Sequence, residues 1–530
     1  MRKALLKVIS AVLIFALLSA GGTTFAGTEE NYFKDVPKGH WAEKYIYELK
    51  DLNIIKGIDE ENFGMGKSLT KGEFITWIQK VINMNQNIVL TPEEDKAALT
   101  RKEMAEIIVR ELQLDGLAFE SDIESVKKFL PYDDVKDDFG YISVVKDLNL
   151  MTGSNNKFNP DRAVSREEGA TVLGRIYEKI SKPVSYLNGF YAIDSYSQKD
   201  MIKDLNSVGF GWSRLEGDES QNKVVLNTTR DENNSFGFPE GFSEPLSIAK
   251  DNKVSDQLTV FSNDQNTLKY VLTKDEGRKK AVDQIVKKIE TSFSGVVIDF
   301  ENMKGEELKS GFNTFLSELK AELNKYNKSL YVTVPPKMKP PLAYYDAYDY
   351  RYIGEVADKV ILMAHDYYPK SLKENERDSF YSNTPLTPMD DIYYGLKEIT
   401  DENTGVRDKN KILLQISFDS VQWKIKDGKI MNDIPYHPGY ELIRKRMAED
   451  SSVEKQYVFG NAYLKYHNSE DETDNIVWYE NENSVTDKIN MAKLFGVNGI
   501  SLWRLGTIPD YEDEGINLNI WNEILNAEGK

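Results

Sequence analysis

The chain has 530 residues and a formal net charge of −19, which is spread along its length. The length predicts two or more cores, and the acidity argues against nucleic acid or an anionic membrane surface as a general partner. Because the chain has no cysteine, disulfides and thiolate metal sites are excluded. Its four histidines are scattered without the spacing of zinc ligands, so the sequence predicts no metal site.

The first 26 residues have the pattern of a secretory signal peptide. Arg2, Lys3 and Lys7 form a positive start, the apolar run 8–18 follows, and small residues at 24–26 offer a cleavage site. The run is shorter than the roughly 20 residues that a membrane-spanning helix needs. We therefore expect an exported chain with no transmembrane segment after cleavage, and an uncleaved anchor is the alternative.

Residues 33–168 contain a repeated helical pattern. One copy occupies 33–73 and another 132–168, and 99–112 has the pattern of the second half of a shortened copy between them. In each copy a Thr or Ser is followed three residues later by Glu, which is the capping box of a helix start. A period of roughly 50 to 60 residues with helices in every copy indicates a repeat architecture.

These copies resemble surface-layer homology repeats, which tether exported bacterial proteins to secondary cell-wall polysaccharide. The resemblance rests on the Phe33-x-Asp35-Val36 opening, Trp41, the turns at Gly57 and Gly153, and the three Thr/Ser-(Arg/Lys)-x-Glu helix starts. It predicts a mainly α-helical anchor domain over residues 27–180. The family's basic residue in the last motif recognises an anionic sugar.

The resemblance implies that Lys71, Arg101, Arg166 and Trp41 bind the wall polysaccharide. A helix N-terminus beside an Arg suits an anion, through free amides and a bidentate cation. Lys71 stands where the family usually has Arg and offers only a point charge. The alternative is that the motifs are helix caps with solvated cations.

From about residue 186 the pattern changes to apolar runs that alternate with helical segments. Eight runs follow one another, at 188–193, 209–215, 258–261, 295–301, 330–335, 359–364, 411–417 and 499–503. Eight such units over 186–530 predict an α/β fold, a (β/α)8 barrel with insertions. The stretch 418–495 exceeds a helical crossover and predicts an inserted lobe that walls a cleft.

The fourth run, Gly295-Val-Val-Ile-Asp299-Phe-Glu301, carries the candidate chemistry. Successive side chains of a strand point to opposite faces, so Asp299 and Glu301 share one face. In a barrel covered on both sides these carboxylates lie in a dry interior, which predicts a coupled acid pair in which one group keeps a proton for acid catalysis. The alternative is a pair of solvated acids at a strand end.

This segment resembles the signature of family 18 glycoside hydrolases, the chitinase family. The resemblance extends over most of 186–530 and includes Met363-Ala-His365-Asp366 on the sixth strand, Gly499-Ile-Ser-Leu-Trp503-Arg-Leu-Gly506 at the eighth, and Val477-Trp-Tyr-Glu480. It implies that Glu301 is the general acid and that Asp299 holds the substrate's 2-acetamido group, whose carbonyl oxygen attacks the anomeric carbon. No cofactor is then needed, because the substrate supplies the nucleophile.

Two residues depart from the family pattern. Val297 stands where a polar residue is usual, and His365 stands where a Tyr usually contacts the acetamido group. Tyr367 is a candidate replacement for the missing phenol, and a core histidine bonded to Asp366 is the alternative role for His365. The departures put rate and substrate preference in question.

The other substrate contacts that the resemblance implies are Met363, His365, Asp366 and Trp503. In the family a Trp forms the floor under the reacting sugar, and core packing is the alternative for Trp503. Gln415, Tyr191 and Trp423 also stand near strand ends, which alone suggests that they line a cleft.

The sequence therefore predicts a secreted, wall-attached glycosidase that cleaves β-linked glycans containing N-acetylglucosamine, of the chitin type or peptidoglycan, with retention. One alternative is a non-hydrolytic glycan-binding protein on the same fold. Another is a structural surface protein in which wall binding is the main role.

Overall fold

The computed structural model describes residues 33–82, 90–121, 131–136, 139–232, 234–337, 345–377, 385–449, 452–458, 460–513 and 515–530. The predicted signal peptide, residues 1–26, lies outside these ranges. Within them, no helix combines the length and hydropathy needed to cross a bilayer.

The N-terminal part of the described chain is helical. Its helices are α1 Glu43–Asp51, α2 Lys71–Ile82, α3 Pro92–Lys96, α4 Arg101–Glu111, α5 Asp115–Ser121, α6 Phe139–Asp147 and α7 Arg166–Ile180. The predicted helix starts are confirmed, since Thr100 and Ser165 cap α4 and α7 through reciprocal bonds with the Glu three residues on. Thr70 accepts a hydrogen bond from the N–H of Glu73 at the start of α2.

The three helix starts meet in a ring of backbone hydrogen bonds. Leu69 N–H donates to Val164 O at 2.9 Å, Leu99 N–H to Leu69 O at 2.9 Å, and Val164 N–H to Leu99 O at 2.8 Å. The segment at 99 therefore takes a third equivalent place beside the two longer copies. The copies fold as one unit, because the segment before each helix start donates a backbone hydrogen bond to the corresponding segment of another copy.

The rest of the chain alternates strands with helices. The strands are β1 Tyr186–Tyr191, β2 Ser207–Asp218, β3 Lys223–Asn227, β4 Ser255–Ser262, β5 Gly295–Phe300, β6 Ser329–Val334, β7 Lys359–Leu362, β8 Ile412–Ser417, β9 Val421–Lys426, β10 Lys429–Ile430, β11 Glu454–Val458, β12 Asn461–Asn468, β13 Thr473–Tyr479 and β14 Gly499–Trp503. The helices are α8 Ser243–Asp251, α9 Gln265–Thr273, α10 Asp275–Ile289, α11 Glu306–Lys325, α12 Tyr350–Val356, α13 Met389–Ile399, α14 Tyr440–Glu449, α15 Glu482–Leu494 and α16 Ile520–Glu528.

Eight of the strands form a closed parallel barrel. They follow the order β1-β14-β8-β7-β6-β5-β4-β2, and β2 pairs with β1 to close the ring. These are the eight predicted strands, so the predicted (β/α)8 fold is confirmed. Parallel strands put their carboxyl ends at one rim, which brings the ends of β1, β5, β6, β7, β8 and β14 together.

A second sheet lies in the chain between β8 and β14. Its five antiparallel strands follow the order β10-β9-β13-β12-β11. Trp423 and Trp478 are buried in its core, and so are Tyr368 and Leu372 from the segment after β7. Because that segment contributes to the core of the inserted sheet, the sheet supports the β7 end of the barrel rim. Helix α15 follows β13 and packs against β8.

The helical unit packs directly on the barrel. Lys179 donates to the carbonyl of Leu494 at 2.6 Å, and Lys493 donates to that of Ile180 at 3.2 Å. Burial lowers the pKa of Lys493 to about 8. Asp147 of α6 accepts from Tyr393 and Lys397 of α13, and these contacts join the two units without a linker.

We expect Asp147→Ala to weaken this junction. Tyr393 and Lys397 would lose a common acceptor, which should lower the free energy of unfolding by about 1–3 kcal/mol. Urea unfolding followed by circular dichroism measures this change. The control is Asp161→Ala, because that side chain is 80% exposed in its pair with Lys102. Equal effects of the two variants would contradict the prediction.

Candidate active site

A cavity of about 130 Å³ opens at the carboxyl rim of the barrel. Its lining comes from the ends of β1, β5, β6, β7, β8 and β14: Phe190, Asp299, Glu301, Thr333, Met363, His365, Asp366, Gln415 and Trp503. In (β/α)8 enzymes this rim is where the chemistry occurs.

Asp299 points into the barrel from β5. Two residues earlier, on the same face of β5, Val297 is fully buried in an apolar layer with Phe190, Ile361 and Leu413. The Asp299 carboxylate is 5% exposed and accepts a hydrogen bond from the Thr333 hydroxyl at 2.6 Å. Burial raises its pKa to about 6, although Thr333 and the charge of His365 act in the opposite direction.

Glu301 follows the last residue of β5. Its N–H donates to the carbonyl of Ser262 at 2.9 Å, which continues the ladder with β4. Burial raises the pKa of its carboxyl group to about 7, and the nearby Asp299 adds to this effect. The two carboxyl groups titrate as a coupled pair, so the pair keeps a proton near neutral pH, and the higher pKa is that of Glu301.

His365 and Asp366 lie together just after β7. His365 Nδ1 is 3.1 Å from Asp366 Oδ2, and its Nε2 is 2.7 Å from Gln415 Oε1. Burial opposes a charge on the imidazole, but Asp366, Gln415 and Glu301 together raise the pKa of His365. The pKa of Asp366 is lowered against the effect of its own burial, mainly by His365.

Trp503 closes the cavity at the end of β14. Its ring meets that of Phe190 edge-on, with centroids 5.4 Å apart. The Phe190 carbonyl accepts from Leu505 N–H, and the Trp503 carbonyl accepts from Phe418 N–H, both at 3.0 Å. These backbone bonds fix an aromatic wall beside the carboxyl groups.

The structure brings most of the predicted site residues into one cavity. Asp299, Glu301, Met363, His365, Asp366 and Trp503 all line it. Tyr367 does not, because its hydroxyl points to the carbonyl of Asp391 at 3.5 Å, at the start of α13. Asp366 has a positive φ of 58°, which breaks the strand alternation before Tyr367.

Of the weaker candidates, Gln415 lines the cavity, whereas Tyr191 and Trp423 are buried elsewhere. The sequence analysis missed Thr333 and Phe190. Both stand on predicted barrel strands, and alternation along β6 could have indicated that Thr333 points inward.

The predicted wall-binding residues lie on the helical unit, away from this cavity. Trp41 is 57% exposed, with its ring 4.9 Å from that of His40. Lys71 pairs with Glu103 at 2.7 Å. Arg101 donates to the carbonyls of Phe158 and Thr152, at 2.7 and 3.0 Å.

Arg166 is only 2% exposed. It donates to the carbonyls of Phe63 and Lys56, pairs with Glu73, and stacks between the rings of Phe63 and Trp77. The guanidinium groups of Arg101 and Arg166 thus join neighbouring copies, and their role in polysaccharide binding stays a prediction.

The closed barrel and its paired carboxyl groups define a class of protein. Two buried carboxyl groups that share a proton beside an aromatic wall at the barrel rim are typical of the active site of a glycoside hydrolase. Within the described residues no cluster of His, Asp and Glu could hold a metal ion.

Comparison with known proteins gives the family. The family model for glycosyl hydrolases family 18 matches residues 167–507, more than half of the chain, so the chain belongs to this family. The S-layer homology domain model matches 32–75 and 131–170, which are the first and last of the predicted copies.

Curated relatives match both units. The chain is 25% identical over 298 residues to the uncharacterized glycosylase YvbX of Bacillus subtilis, which covers 54% of this chain and 80% of that protein. It is 23% identical to the cortical fragment-lytic enzyme of Bacillus subtilis over 44% of this chain and about half (52%) of that enzyme. An S-layer protein of Bacillus licheniformis matches at 24% identity over 33% of this chain and 23% of its own length.

Two solved structures share the fold. The spore cortex-lytic enzyme SleL of Bacillus megaterium has a TM-score of 0.51 at 14% identity, covering 87% of this chain and 97% of that one. A chitinase from Chromobacterium violaceum has a TM-score of 0.50 at 20% identity, over 65% of this chain and 99% of that one.

The raised pKa of Glu301 predicts a stability cost that grows with pH. The unfolded group releases its proton near pH 4.5 and the folded group near 7, so the wild type loses stability between these values. Glu301→Gln removes this loss, and we expect its free energy of unfolding at pH 8 to exceed that of the wild type by about 1–3 kcal/mol.

Urea unfolding at pH 4.5 and pH 8 measures the difference, which should be small at the lower pH. Glu307→Gln on the exposed face of α11 is the control and should show no such trend. A variant effect that is independent of pH would contradict the assignment of a proton to Glu301.

Proposed function

We propose that this chain is a wall-attached glycosidase that cleaves β-linked glycans containing N-acetylglucosamine, of the chitin type or peptidoglycan, with retention of configuration. The observation that carries the proposal is the buried pair on one face of β5 and its end, whose raised pKa values allow it to keep a proton near neutral pH. A glycosidic oxygen needs this proton to leave.

In the proposed mechanism the substrate's acetamide is the nucleophile. Glu301 donates its proton to the glycosidic oxygen as the acetamide carbonyl oxygen attacks the anomeric carbon from the opposite face. Asp299 is ionised and oriented by the Thr333 hydroxyl. It accepts a hydrogen bond from the acetamide N–H and stabilises the positive charge that develops on the acetamide. Glu301 then takes a proton from the water that opens the cyclic intermediate.

The remaining lining residues shape the subsite. Trp503 and Phe190 give the reacting sugar an apolar wall, and Met363 adds to it. Asp366 offers a polar contact to the sugar's acetamido and hydroxyl groups, and His365, predicted as a substrate contact, lines the cavity with its ring nitrogens facing Gln415 and Asp366. Because the acetamide supplies the nucleophile, the proposed reaction uses no cofactor.

One observation favours a second candidate, a glycan-binding protein without hydrolysis. Val297 gives Asp299 an apolar neighbour below it, where the family pattern has a polar group that can share its proton. In this alternative the cavity binds the sugar, and hydrolysis by the acid pair is slow or does not occur.

We expect Glu301→Gln to lower kcat for N-acetylglucosamine oligomers and purified peptidoglycan by about 10²–10⁴-fold, because the amide cannot donate the proton. Binding of the oligomers should persist, since the amide keeps the shape of the carboxyl group. Product release measured by chromatography identifies which glycan is cleaved, and Glu307→Gln is the matched control.

Two results would count against the proposal. Equal activity of wild type and Glu301→Gln would remove Glu301 as the acid, and binding without cleavage by the wild type would favour the second candidate. The first product detected by NMR should be the β-anomer, and an α-anomer would exclude retention.

We also propose that the S-layer homology domains attach the secreted chain to the secondary cell-wall polysaccharide. Trp41 is the candidate contact that the fold leaves most exposed, whereas Lys71 and Arg101 are partly engaged within the chain. The domain matches and the similarity to an S-layer protein support this location.

Trp41→Ala and Arg166→Gln should therefore differ. We expect Trp41→Ala to reduce sedimentation with purified walls several-fold at unchanged stability, since the exposed ring has little packing to lose. Arg166→Gln should lower the unfolding midpoint, because it removes the ion pair with Glu73 and the donors to the carbonyls of Phe63 and Lys56. Wall binding that Trp41→Ala leaves intact would exclude this residue from the contact, and walls stripped of polysaccharide are the control.

A further inference from the structure

A chain of buried polar side chains follows the neighbouring strands β2, β1, β14 and β8 along the inner wall of the barrel and ends at His365, after β7. We call it the His365 chain, and it consists of Ser207, Asn188, Ser501, Gln415, His365 and Asp366. The Asn188 amide nitrogen donates to the Ser207 backbone carbonyl at 3.3 Å and to its hydroxyl at 2.9 Å. The Ser501 hydroxyl donates to Asn188 Oδ1 at 2.7 Å.

The second half of the chain leads to the cavity. The Gln415 amide nitrogen donates to the Ser501 hydroxyl at 3.3 Å, and Gln415 Oε1 lies 2.7 Å from His365 Nε2. Asn188, Ser207 and Ser501 are fully buried, and Gln415 is 2% exposed. Water therefore does not replace these partners.

One end of the His365 chain fixes its direction. The Ser207 carbonyl can only accept, so the nitrogen of the Asn188 amide faces it and Asn188 Oδ1 accepts from Ser501. The Ser501 oxygen then accepts from the Gln415 amide nitrogen, which turns Gln415 Oε1 toward the imidazole. An oxygen that can only accept faces Nε2, so Nε2 carries a proton.

The other ring nitrogen faces a carboxylate. His365 Nδ1 lies 3.1 Å from Asp366 Oδ2, and two facing lone pairs would repel at this distance. Burial raises the pKa of Asp366, but Lys370 and the Ser417 hydroxyl lower it independently of His365, which favours the ionised carboxylate. The buried Nδ1 faces Asp366 without the geometry of a hydrogen bond, so the contact is an ion pair, and a positive charge on the imidazole makes it attractive.

We propose that the His365 chain holds His365 as a positively charged positioning residue, whose charge allows Asp299 to be ionised beside the protonated Glu301. This inference rests on the proposed roles of Asp299 and Glu301. The charged and titratable groups that face the imidazole are Asp299 and Glu301 from β5 and its end, and Asp366 beside it. With His365 charged, the cavity holds two carboxylates and one cation.

Val297 explains why this charge is needed. It places apolar carbon below Asp299, so the strand itself offers no group to share a proton or balance the charge. The positive charge that balances Asp299 comes instead from His365, which lies just after β7 in the lining of the same cavity. The net charge of −1 is unchanged when the positively charged cyclic intermediate forms, because Glu301 becomes ionised as it gives up its proton, and the new negative charge lies beside the new positive one.

The protonation state can be measured without any activity. In the full chain labelled with ¹⁵N-histidine, four residues give ring signals, and His365→Gln assigns that of His365. We expect both ring nitrogens of His365 to be protonated at pH 7, where a free imidazole is mostly neutral. A neutral ring with its proton on Nε2 at pH 7 would overturn the proposal.

Gln415→Met tests the chain itself, because it removes the acceptor of Nε2 at similar volume. We expect His365 to titrate at lower pH in this variant than in the wild type. His467→Gln, at an exposed histidine in the inserted sheet, should leave the His365 signals unchanged. An unchanged titration of His365 in Gln415→Met would show that the chain does not hold the charge.

The pH profile of kcat/KM tests the function of the charge. Without the cation the pKa values of Asp299 and Glu301 rise, so both limbs of the profile for His365→Gln should move upward by about one pH unit. A lower rate with unmoved limbs would reduce His365 to a packing role. If the wild type cleaves no glycan, the proposed function fails, and the NMR measurement still decides the protonation state.

Discussion

The site depends on the removal of two carboxyl groups from water on a single strand. Asp299 and Glu301 lie one alternation apart on the same face of β5 and its end, and burial is the main cause of the raised pKa of each. Asp299 is 5% exposed, and Glu301 meets solvent only through the cavity at the rim. The surrounding strands therefore have to supply compensation, which comes as the Thr333 hydroxyl and the charge on His365.

This requirement explains the distribution of polar groups in the barrel. Below the pair, the layer around Val297, Ile361 and Leu413 is apolar and excludes water. On β1, β14 and β8, Asn188, Ser501 and Gln415 are joined by hydrogen bonds, which avoids the cost of unpaired buried groups. The apolar residues thus raise the proton affinity of the acids, and the polar residues that end at His365 limit the rise.

The sequence predicted the barrel and the acid pair because both follow from local patterns. Apolar runs mark each strand, and alternation alone puts Asp299 and Glu301 on one face. The partners of these groups were harder to predict, since Thr333, Gln415 and Asn188 belong to strands far apart in sequence. Alternation indicates that such residues point inward but not which of them meet.

Two other outcomes have local physical causes. Tyr367 leaves the cavity because Asp366 has a positive φ, and the strand alternation ends before it. Arg166 has the motif of an exposed cation at a helix start, but a copy about 100 residues earlier in the chain covers it with Phe63 and Trp77. Contacts between repeats are invisible to a motif that is read one copy at a time.

The direct packing of the helical unit on α13 and α15 fixes the direction in which the cavity faces. A flexible tether would let an enzyme search a sphere around its attachment point, and its local concentration would fall with tether length. A rigid junction gives instead a short and constant reach. Under the proposed attachment through its helices, the cavity reaches glycan only at a set height above the wall, so the surface density of the protein determines how much glycan is within range.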